Sequence, residues 1–288
     1  MNTFKTFLLL GALSAILVSI GGAMGPGAMT VFVGLALALN LGAWFWSDRV
    51  VLRMHGAQPL GAAEAPELHG MVRELAARAG IPTPRLYLVD DAQPNAFATG
   101  RNPEHGVVAV TTGLLRLLPR QEVRGVIAHE IAHIANRDIL VASVAAAMAA
   151  AVSFVGNALQ FSALFGGGQS SDEEGGSPIG ALVMAIVAPI AATLVQLGIS
   201  RSREYMADEL GARLAGDPES LARALERLHQ GTALIPTEAA RPATASLFIV
   251  NPFAGAGGFT RLFSTHPPME DRVARLRALA RASRAFAA

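Results

Sequence analysis

The sequence contains no cysteine, and this absence excludes three kinds of chemistry at once. No disulfide bond can form, no metal can be held by thiolates, and no cysteine can serve as a nucleophile. Charged residues are also scarce, since they make up 16% of the chain against about 25% in soluble globular proteins. Hydrophobic residues make up 52% and the mean hydropathy is +0.40, which argues against a purely soluble chain. The net charge of +1 gives no indication of a nucleic acid partner.

The longest stretch without charge lies near the N-terminus, where no Asp, Glu, Lys or Arg occurs in the 42 residues between Lys5 and Asp48. A Gly-Pro-Gly sequence at 25–27 divides it into two apolar runs, at about 7–24 and 28–47. Each run has close to the ~20 residues that cross the hydrocarbon core of a bilayer. We therefore predict a transmembrane hairpin; a cleaved signal peptide followed by a core helix is the alternative.

A second region with few charges divides into apolar runs at about 139–165 and 179–199. The acidic sequence Asp172-Glu173-Glu174 lies between the two runs. We predict a second transmembrane hairpin here, which gives four transmembrane helices in total. The first of these runs is rich in alanine and contains Asn157 and Gln160, so a buried helix pair folded over the rest of the chain is the alternative.

Basic residues flank the predicted spans on one side of the membrane only, and the two hairpin tips carry no Lys or Arg. An excess of basic residues is typical of cytoplasmic segments, so both termini and both polar segments are expected in the cytoplasm. The predicted fold is α+β and mostly helical, and it places a small β-sheet in the cytoplasmic part. Its organisation is a hairpin at 1–47, a polar segment at 48–138, a second hairpin at 139–200 and a polar segment at 201–288.

Within the polar segments, helix-capping residues and hydrophobic patterns predict five helices and two strands. The helices are expected at 66–79, 121–136, 201–215, 218–230 and 270–285, and the strands at 85–89 and 107–111. Residues 231–265 are rich in Pro, Gly and Phe and are expected to form a long loop.

The residues that can carry chemistry are concentrated in the sequence His129-Glu130-Ile131-Ala132-His133. Residues four apart lie on one face of a helix about one turn apart, so the two imidazoles can bind one cation. The glutamate beside the first histidine then points toward a water on that cation. Zinc suits such a site because it accepts nitrogen and oxygen ligands in tetrahedral geometry and leaves one position open. We expect this helix to run straight into the third predicted span.

A zinc site of this type needs a third protein ligand, usually a Glu or His from a later helix. The best candidate is Glu204, and Asp208 follows it by one helical turn. Glu204 could bind the metal while Asp208 accepts the free ring N–H of a ligand histidine. An ordinary salt-bridged helix start is the alternative for both carboxylates. Because both halves of the site adjoin predicted spans, the site is expected at the membrane surface.

With these residues in place, the sequence resembles the HtpX-type membrane zinc metalloproteases, gluzincins that are related to the CAAX prenyl proteases. The resemblance covers nearly the whole chain and rests on several blocks of sequence, which are Pro94–Gly100, Val108–Leu115, His129–His133 with Ala135–Asp138, Ser202–Asp208 and Ser264–Pro268. One departure is Arg137, where the family usually has glycine. It follows the ligands and leaves the catalytic residues unaffected.

The resemblance implies a zinc metalloendopeptidase of the bacterial inner membrane, with one Zn²⁺ per chain and an active site that faces the cytoplasm. Its expected partners are the lipid bilayer and misfolded or damaged membrane proteins, or other unfolded polypeptides, which it would cut in membrane protein quality control. Two alternatives are a zinc peptidase of prenylated or lipid-linked peptides and an inactive membrane scaffold. A scaffold is expected to have lost Glu130 or a ligand, and all these residues are present.

The resemblance also implies roles at the metal. His129, His133 and Glu204 are the expected zinc ligands, a zincin-like arrangement. Glu130 is the expected general base. Asp208 is the expected partner that accepts a hydrogen bond from the second ring nitrogen of a ligand histidine.

The resemblance also assigns roles to residues outside the two helices that carry the expected ligands. Asn95 and Ala96 resemble the edge strand on which substrate backbone binds in extended form. His266 and Arg272 match a pair that stabilises the tetrahedral intermediate in the wider family. A loop hydrogen bond for the histidine and an ordinary helix start for the arginine remain alternatives. The other histidines lack ligand spacing and are expected to be solvated; they are His55, His69, His105 and His229.

Overall fold

The computed structural model describes residues 2–23, 25–149, 201–235, 242–251 and 267–287. The helices in these ranges are α1 (Asn2–Ala23), α2 (Pro26–Met54), α3 (Pro66–Arg78), α4 (Thr112–Leu117), α5 (Arg120–Ala135), α6 (Ile139–Ala149), α7 (Arg201–Ala215), α8 (Pro218–Leu234) and α9 (Met269–Ala287). The strands are β1 (Gln58–Pro59), β2 (Arg85–Val89), β3 (Ala96–Thr99) and β4 (Val107–Thr111), and 3₁₀ turns lie at Pro103–His105 and Pro242–Leu247. The mostly helical α+β class and both predicted strands are confirmed.

Helices α1 and α2 pack side by side as an antiparallel hairpin. The Asn40 side-chain amide donates a hydrogen bond to Ser14 Oγ (2.7 Å), and the rings of Phe7 and Trp44 stack with centroids 5.9 Å apart. Among the described residues, α2 is the one unbroken helix long and apolar enough to cross a membrane. Its outer face leaves large apolar side chains exposed, among them Val31, Leu37, Leu41, Phe45 and Trp46. A core helix would bury such side chains, so this face is typical of a helix in contact with lipid.

Helix α2 is longer than the predicted span. The sequence predicts an end near residue 47, but the helix continues to Met54 and includes Asp48, Arg49 and Arg53. No Gly or Pro occurs between residues 48 and 55, so nothing stops the helix until Gly56 adopts a positive φ of 60°. The helix therefore extends about two turns beyond the end of its apolar run.

The second predicted hairpin falls mainly on residues 150–200, which lie outside the described ranges. Residues 139–149 form α6, whose axis turns away from α5 by 89°. The prediction that the motif helix runs straight on is therefore wrong, because α5 ends where Arg137 adopts a left-handed conformation (φ 58°). The described part of α6 is buried, and Ser143 Oγ lies 2.7 Å from Thr99 Oγ1 on β3. Four transmembrane helices remain a prediction.

The small sheet has the strand order β1-β2-β4-β3, which leaves β3 at one edge. Strands β2 and β4 are parallel, whereas β1 and β3 pair antiparallel with their neighbours. Every residue of β4 is buried, as expected for a strand rich in valine between two neighbours. Helix α5 packs across this sheet and against α7 and α8, and the core between them contains Leu114, Val126, Ile127, Ile131 and Leu225.

The long loop predicted at 231–265 is wrong for the parts of it that the structure describes. Helix α8 continues to Leu234, because Gly231 serves close packing rather than helix termination. A Cβ at Gly231 would lie 2.7 Å from Pro94 Cγ, so glycine is needed where α8 meets the segment before β3. Residues 242–247 form a 3₁₀ turn, and Phe248 then bridges to Phe97 on β3. Residues 236–241 and 252–265 of this loop, and His266 after it, lie outside the described residues.

Candidate metal centre

Helix α5 presents the two motif histidines to the same point. His129 and His133 are one turn apart, their rings cross at 89°, and their Nε2 atoms lie 3.1 Å apart. His129 is buried and His133 is half-buried, and the opposite face of α5 packs its apolar side chains against the sheet. The predicted i, i+4 convergence of two imidazoles is therefore present in the structure.

Helix α7 supplies the third donor. Oε1 of Glu204 lies 3.5 Å from His133 Nε2, and Oε2 lies 3.9 Å from His129 Nε2. The donor atoms of all three side chains fall within 4.8 Å of one another. This approach depends on Gly211, since a Cβ there would lie 2.8 Å from the His129 Cα. The glycine thus allows α7 to cross α5 closely enough for its carboxylate to reach both imidazoles.

The far side of each imidazole faces a carboxylate. His129 Nδ1 lies 2.9 Å from Asp208 Oδ1, and His133 Nδ1 lies 3.2 Å from Asp138 Oδ2. Metal-binding histidines commonly turn their second nitrogen to such a partner, which fixes the ring orientation and the tautomer. The contact of Asp208 follows the helical spacing that indicated it. Asp138 is a functional residue that the sequence analysis missed, because it follows the helix rather than lying on one of its faces.

The turn after α5 explains how Asp138 reaches His133. The Asp138 N–H donates to the His133 carbonyl (3.0 Å), and the Arg137 N–H donates to the Ile134 carbonyl (3.0 Å). These two hydrogen bonds, together with the left-handed conformation of Arg137, form a Schellman cap. The cap folds the chain back over the last turn of the helix. The cap normally uses glycine at the left-handed position, which here is Arg137. The turn that directs the chain toward α6 therefore also places the Asp138 carboxylate next to His133.

Arg272 lies behind Asp208 and is completely buried. Its Nε and Nη2 donate to the two oxygens of Asp208 at 2.8 and 2.7 Å, and its Nη1 donates to the Ile249 carbonyl at 3.0 Å. Nη1 is also 3.7 Å from Glu204 Oε2. Arg272 therefore fixes the position of the Asp208 carboxylate, which in turn faces His129. Its predicted partner in stabilising the intermediate, His266, lies outside the described residues.

Asn95 and Ala96 lie at the edge of the sheet, as the resemblance implied, but this edge is covered. The Ala96 carbonyl accepts a hydrogen bond from the Ile249 N–H (3.0 Å), and Asn95 Nδ2 donates to the Val250 carbonyl (2.8 Å). Phe248 completes the contact by pairing with Phe97. The chain itself therefore occupies the edge on which substrate was expected.

Burial and mutual contacts shift the pKa values of the site. Burial lowers the pKa of His129 to about 4, although Asp208 opposes this shift. Burial would also lower the pKa of His133, but Asp138, Glu204 and Glu130 outweigh it and raise the pKa to about 9. Burial raises the pKa of Glu130 to about 8. A group of this kind can hold or release a proton near neutral pH, which a general base must do.

A cavity of about 40 Å³ adjoins these side chains. The Oε1 atom of Glu130 is buried there and accepts no hydrogen bond from the described residues. Two imidazole nitrogens and one carboxylate oxygen form the donor set of a catalytic zinc site, and a glutamate with a free acceptor atom stands next to it. The residues present therefore fit a zinc ion. The cavity is lined by Ala98, His129, Glu130, His133, Asp138, Ile139, Ala142, Arg203, Glu204 and Ser246–Ile249.

His55 departs from its predicted environment. Its ring is 3% exposed rather than solvated and lies between Phe97 and Phe248, with centroids 5.2 and 5.0 Å away. The residue immediately follows α2, so this aromatic cluster joins the end of the apolar helix to the sheet edge. Burial there depends on residues far apart in the chain, which the local sequence around His55 could not reveal.

The fold and the three converging donors together are those expected of a metalloprotease. Residues 62–280 match the family described as Peptidase family M48, and the chain belongs to this metalloprotease family. It is similar to a protein named Protease HtpX homolog from Syntrophobacter fumaroxidans, with 55% identity over 282 residues that cover 96% of this chain and 99% of the relative. A Protease HtpX homolog from Ralstonia pickettii is 49% identical over 282 residues and 97% of each chain. The HtpX-type resemblance is thereby confirmed.

The fold also resembles a solved structure. The crystal structure of Ste24p from S. mikatae matches with a TM-score of 0.50 and 20% identity, over 96% of this chain and 65% of that longer one. At this identity the likeness concerns the fold alone.

Proposed function

We propose that the protein is a membrane-embedded zinc metalloendopeptidase that hydrolyses peptide bonds of misfolded or damaged membrane proteins at the cytoplasmic face of the bacterial inner membrane. One observation carries the proposal. Three donor atoms from His129, His133 and Glu204 converge within 4.8 Å beside the buried carboxylate of Glu130. Membership of a metalloprotease family supports this chemistry.

The proposed mechanism assigns one task to each side chain. His129, His133 and Glu204 would hold the zinc, which when bound polarises the scissile carbonyl and makes water a better nucleophile. Glu130 takes the proton of the attacking water and passes it to the leaving amine. Its buried position beside the three donors suits this role, since its Oε1 atom accepts no hydrogen bond from the described residues.

Three further side chains keep the ligands in place. Asp138 orients the ring of His133, and Asp208 orients that of His129. Arg272 in turn fixes Asp208 through two hydrogen bonds. Partners of this kind are worth about 10–100-fold in metal affinity or activity.

The exposed apolar face of α2 supports a place in the membrane. Arg49 and Arg53 lie on the last turns of this helix, next to the domain that contains the site. Basic residues at this end favour a cytoplasmic orientation. Substrates would then be cytoplasmic loops or frayed ends of membrane proteins, which reach the site as extended chain.

The activity is tested by zinc-dependent cleavage of a membrane protein in detergent, comparing the wild type with Glu130→Gln. The wild type should cleave, lose activity to a chelator and regain it with zinc. Glu130→Gln should keep its zinc and lose at least about a hundredfold in rate, because the amide cannot accept the proton. A variant that retains more than about a hundredth of the wild-type rate contradicts the assignment of the base.

The proposed topology has a separate test at residue 170, between the two predicted spans outside the described ranges. The wild type has no cysteine, so a Ser170→Cys variant carries a single thiol. If the second hairpin crosses the bilayer, a membrane-impermeant maleimide should label this variant from outside intact spheroplasts. Labelling only after the cells are opened would show that the loop does not leave the cytoplasm.

A further inference from the structure

The free edge of β3 is paired with another part of the chain, residues 246–250, which we call the strap. Phe248 forms an antiparallel bridge with Phe97, and the Ile249 N–H donates to the Ala96 carbonyl (3.0 Å). The side chain of Asn95 extends the pairing, because its amide donates to the Val250 carbonyl (2.8 Å) and accepts from the Val250 N–H (3.4 Å). The strap is therefore held on β3 as an added strand would be.

Arg272 binds the strap from the other side. Its Nη1 donates to the Ile249 carbonyl (3.0 Å), while its remaining nitrogens hold Asp208. Both backbone groups of Ile249 are thus bound, the N–H by Ala96 and the carbonyl by Arg272. All of these bonds end on backbone atoms of the strap, not on its side chains. The same donors and acceptors could therefore bind any extended polypeptide backbone.

The strap also closes the metal centre. Ser246 to Ile249 form part of the cavity wall, and the cavity of about 40 Å³ has room for about three water molecules. This cavity is too small to hold a peptide beside Glu130. A substrate laid along β3 would therefore have to displace the strap.

We propose that the strap occupies the subsite for substrate backbone that the resemblance implies at Asn95 and Ala96, and that a substrate binds there only after it displaces the strap. The inference rests on the proposed function, since it names the binding mode of the polypeptide to be cut. Apparent substrate affinity is then proportional to the fraction of molecules whose strap is displaced.

Phe248 is the residue that holds the strap in place. Its ring packs against Phe97 and His55 with centroids 5.3 and 5.0 Å away, and it is 4% exposed. Because His55 directly follows α2, the membrane hairpin contributes to the surface on which the strap rests. Removing this ring should therefore favour the displaced state without changing the three metal donors.

The test is a disulfide between the strap and β3. Bridge partners in antiparallel strands have Cα atoms about 4.5–5.5 Å apart, within the range that a disulfide spans. The Phe97→Cys, Phe248→Cys double variant of the full chain is compared oxidised and reduced, with fluorescein-labelled casein as the probe. Oxidation should lower casein binding and cleavage at least about tenfold with unchanged zinc content, and reductant should restore both. The two single-cysteine variants are the controls and should not respond to reductant.

Equal casein binding by the oxidised and reduced forms would overturn the inference, since substrate would then bind elsewhere. Binding is measured in the Glu130→Gln background as well, so the result does not depend on catalysis. If binding responds to the disulfide but no form cleaves, the subsite stands and the proposed function fails.

A second variant avoids any new bond. Phe248→Ala should bind casein several-fold more tightly than the wild type, because the strap leaves more readily. Weaker binding by this variant would show that the strap is a part of the substrate site and would also overturn the inference.

Discussion

The N-terminal hairpin and the metal centre distribute polarity in opposite ways. On α2 the large apolar side chains face outward, with Val31 68% and Leu37 60% exposed. In the metal centre the charged side chains face inward, with Arg272 0% and Asp208 3% exposed. Exposed apolar side chains on α2 are typical of a hairpin surrounded by hydrocarbon, whereas the buried charges of the domain are stabilised by pairing with one another.

The two regions also satisfy their polar groups differently. In the hairpin, Asn40 and Ser14 bind each other between the helices. In the centre, the charges form a chain in which Arg272 contacts Asp208 and Asp208 contacts His129. Burying a charge is costly unless it is paired, so each member of this chain depends on its neighbour.

Among the residues that hold the zinc ligands in place, the largest effect is expected at Asp138. Replacing it with alanine removes the carboxylate that orients His133 and should weaken zinc binding by about 10–100-fold. Asp138→Asn keeps the shape and one acceptor oxygen, so it should lose less. Zinc affinity is measured by competition with a chelator, and far-UV circular dichroism checks that both variants are folded. If Asp138→Ala binds zinc as tightly as the wild type, Asp138 is not needed to orient His133.

The exposed face of α2 is tested by labelling. Leu37 and Glu209 are both exposed in the structure, but only Leu37 is expected to face lipid. A cysteine at Leu37 should react with a water-soluble maleimide at least about tenfold more slowly than one at Glu209 in native membranes, because the reactive thiolate is disfavoured in hydrocarbon. Denaturation should make the two rates equal. Equal rates in native membranes would mean that water surrounds both regions.

The pH dependence of zinc binding follows from the two imidazoles. In the metal-free protein the pKa of His133 is raised to about 9, so at pH 7 zinc must displace its proton. The pKa of His129 is lowered to about 4, so that ring is already neutral. Zinc affinity should therefore rise about tenfold per pH unit between pH 6 and 8, from the release of about one proton. A flat profile over this range would contradict the contact of His133 with Asp138 and Glu204.

The smallest effect is expected at Arg137. A left-handed conformation costs an L-residue about 1 kcal/mol that glycine does not lose. Arg137→Gly should therefore raise the free energy of unfolding by up to about 1 kcal/mol and leave cleavage unchanged. Thermal unfolding in detergent measures this change. A lower melting temperature would show that contacts of the arginine outweigh the strain of its backbone.

The features that the sequence could predict are local. A spacing of four places His129 and His133 on one helix face, and the same spacing relates Glu204 to Asp208. Charge-free length alone indicated the N-terminal hairpin, and valine-rich runs indicated β2 and β4. These patterns depend on neighbours within a few residues, so no tertiary information is needed to read them.

The features that were missed depend on turns and on distant pairings. Asp138 reaches its histidine through a left-handed residue, and arginine gives no signal of such a conformation. The strap pairs with β3 across about 150 residues of chain, from Phe97 to Phe248. His55 is buried by the same distant contact. Loop composition contains no information on which strand edge a segment will cover.

The most direct measurement of the central claim is the zinc content of Glu204→Ala. Glu204 lies 3.5 Å from one ligand nitrogen and 3.9 Å from the other, whereas Glu209 on the same helix is exposed and makes a matched control. Purified wild type, Glu130→Gln and Glu209→Ala should each contain about one zinc per chain, and Glu204→Ala should lose most of its zinc together with its activity. Full zinc content in Glu204→Ala would mean that the third ligand lies elsewhere, and the metal centre described above would be wrong.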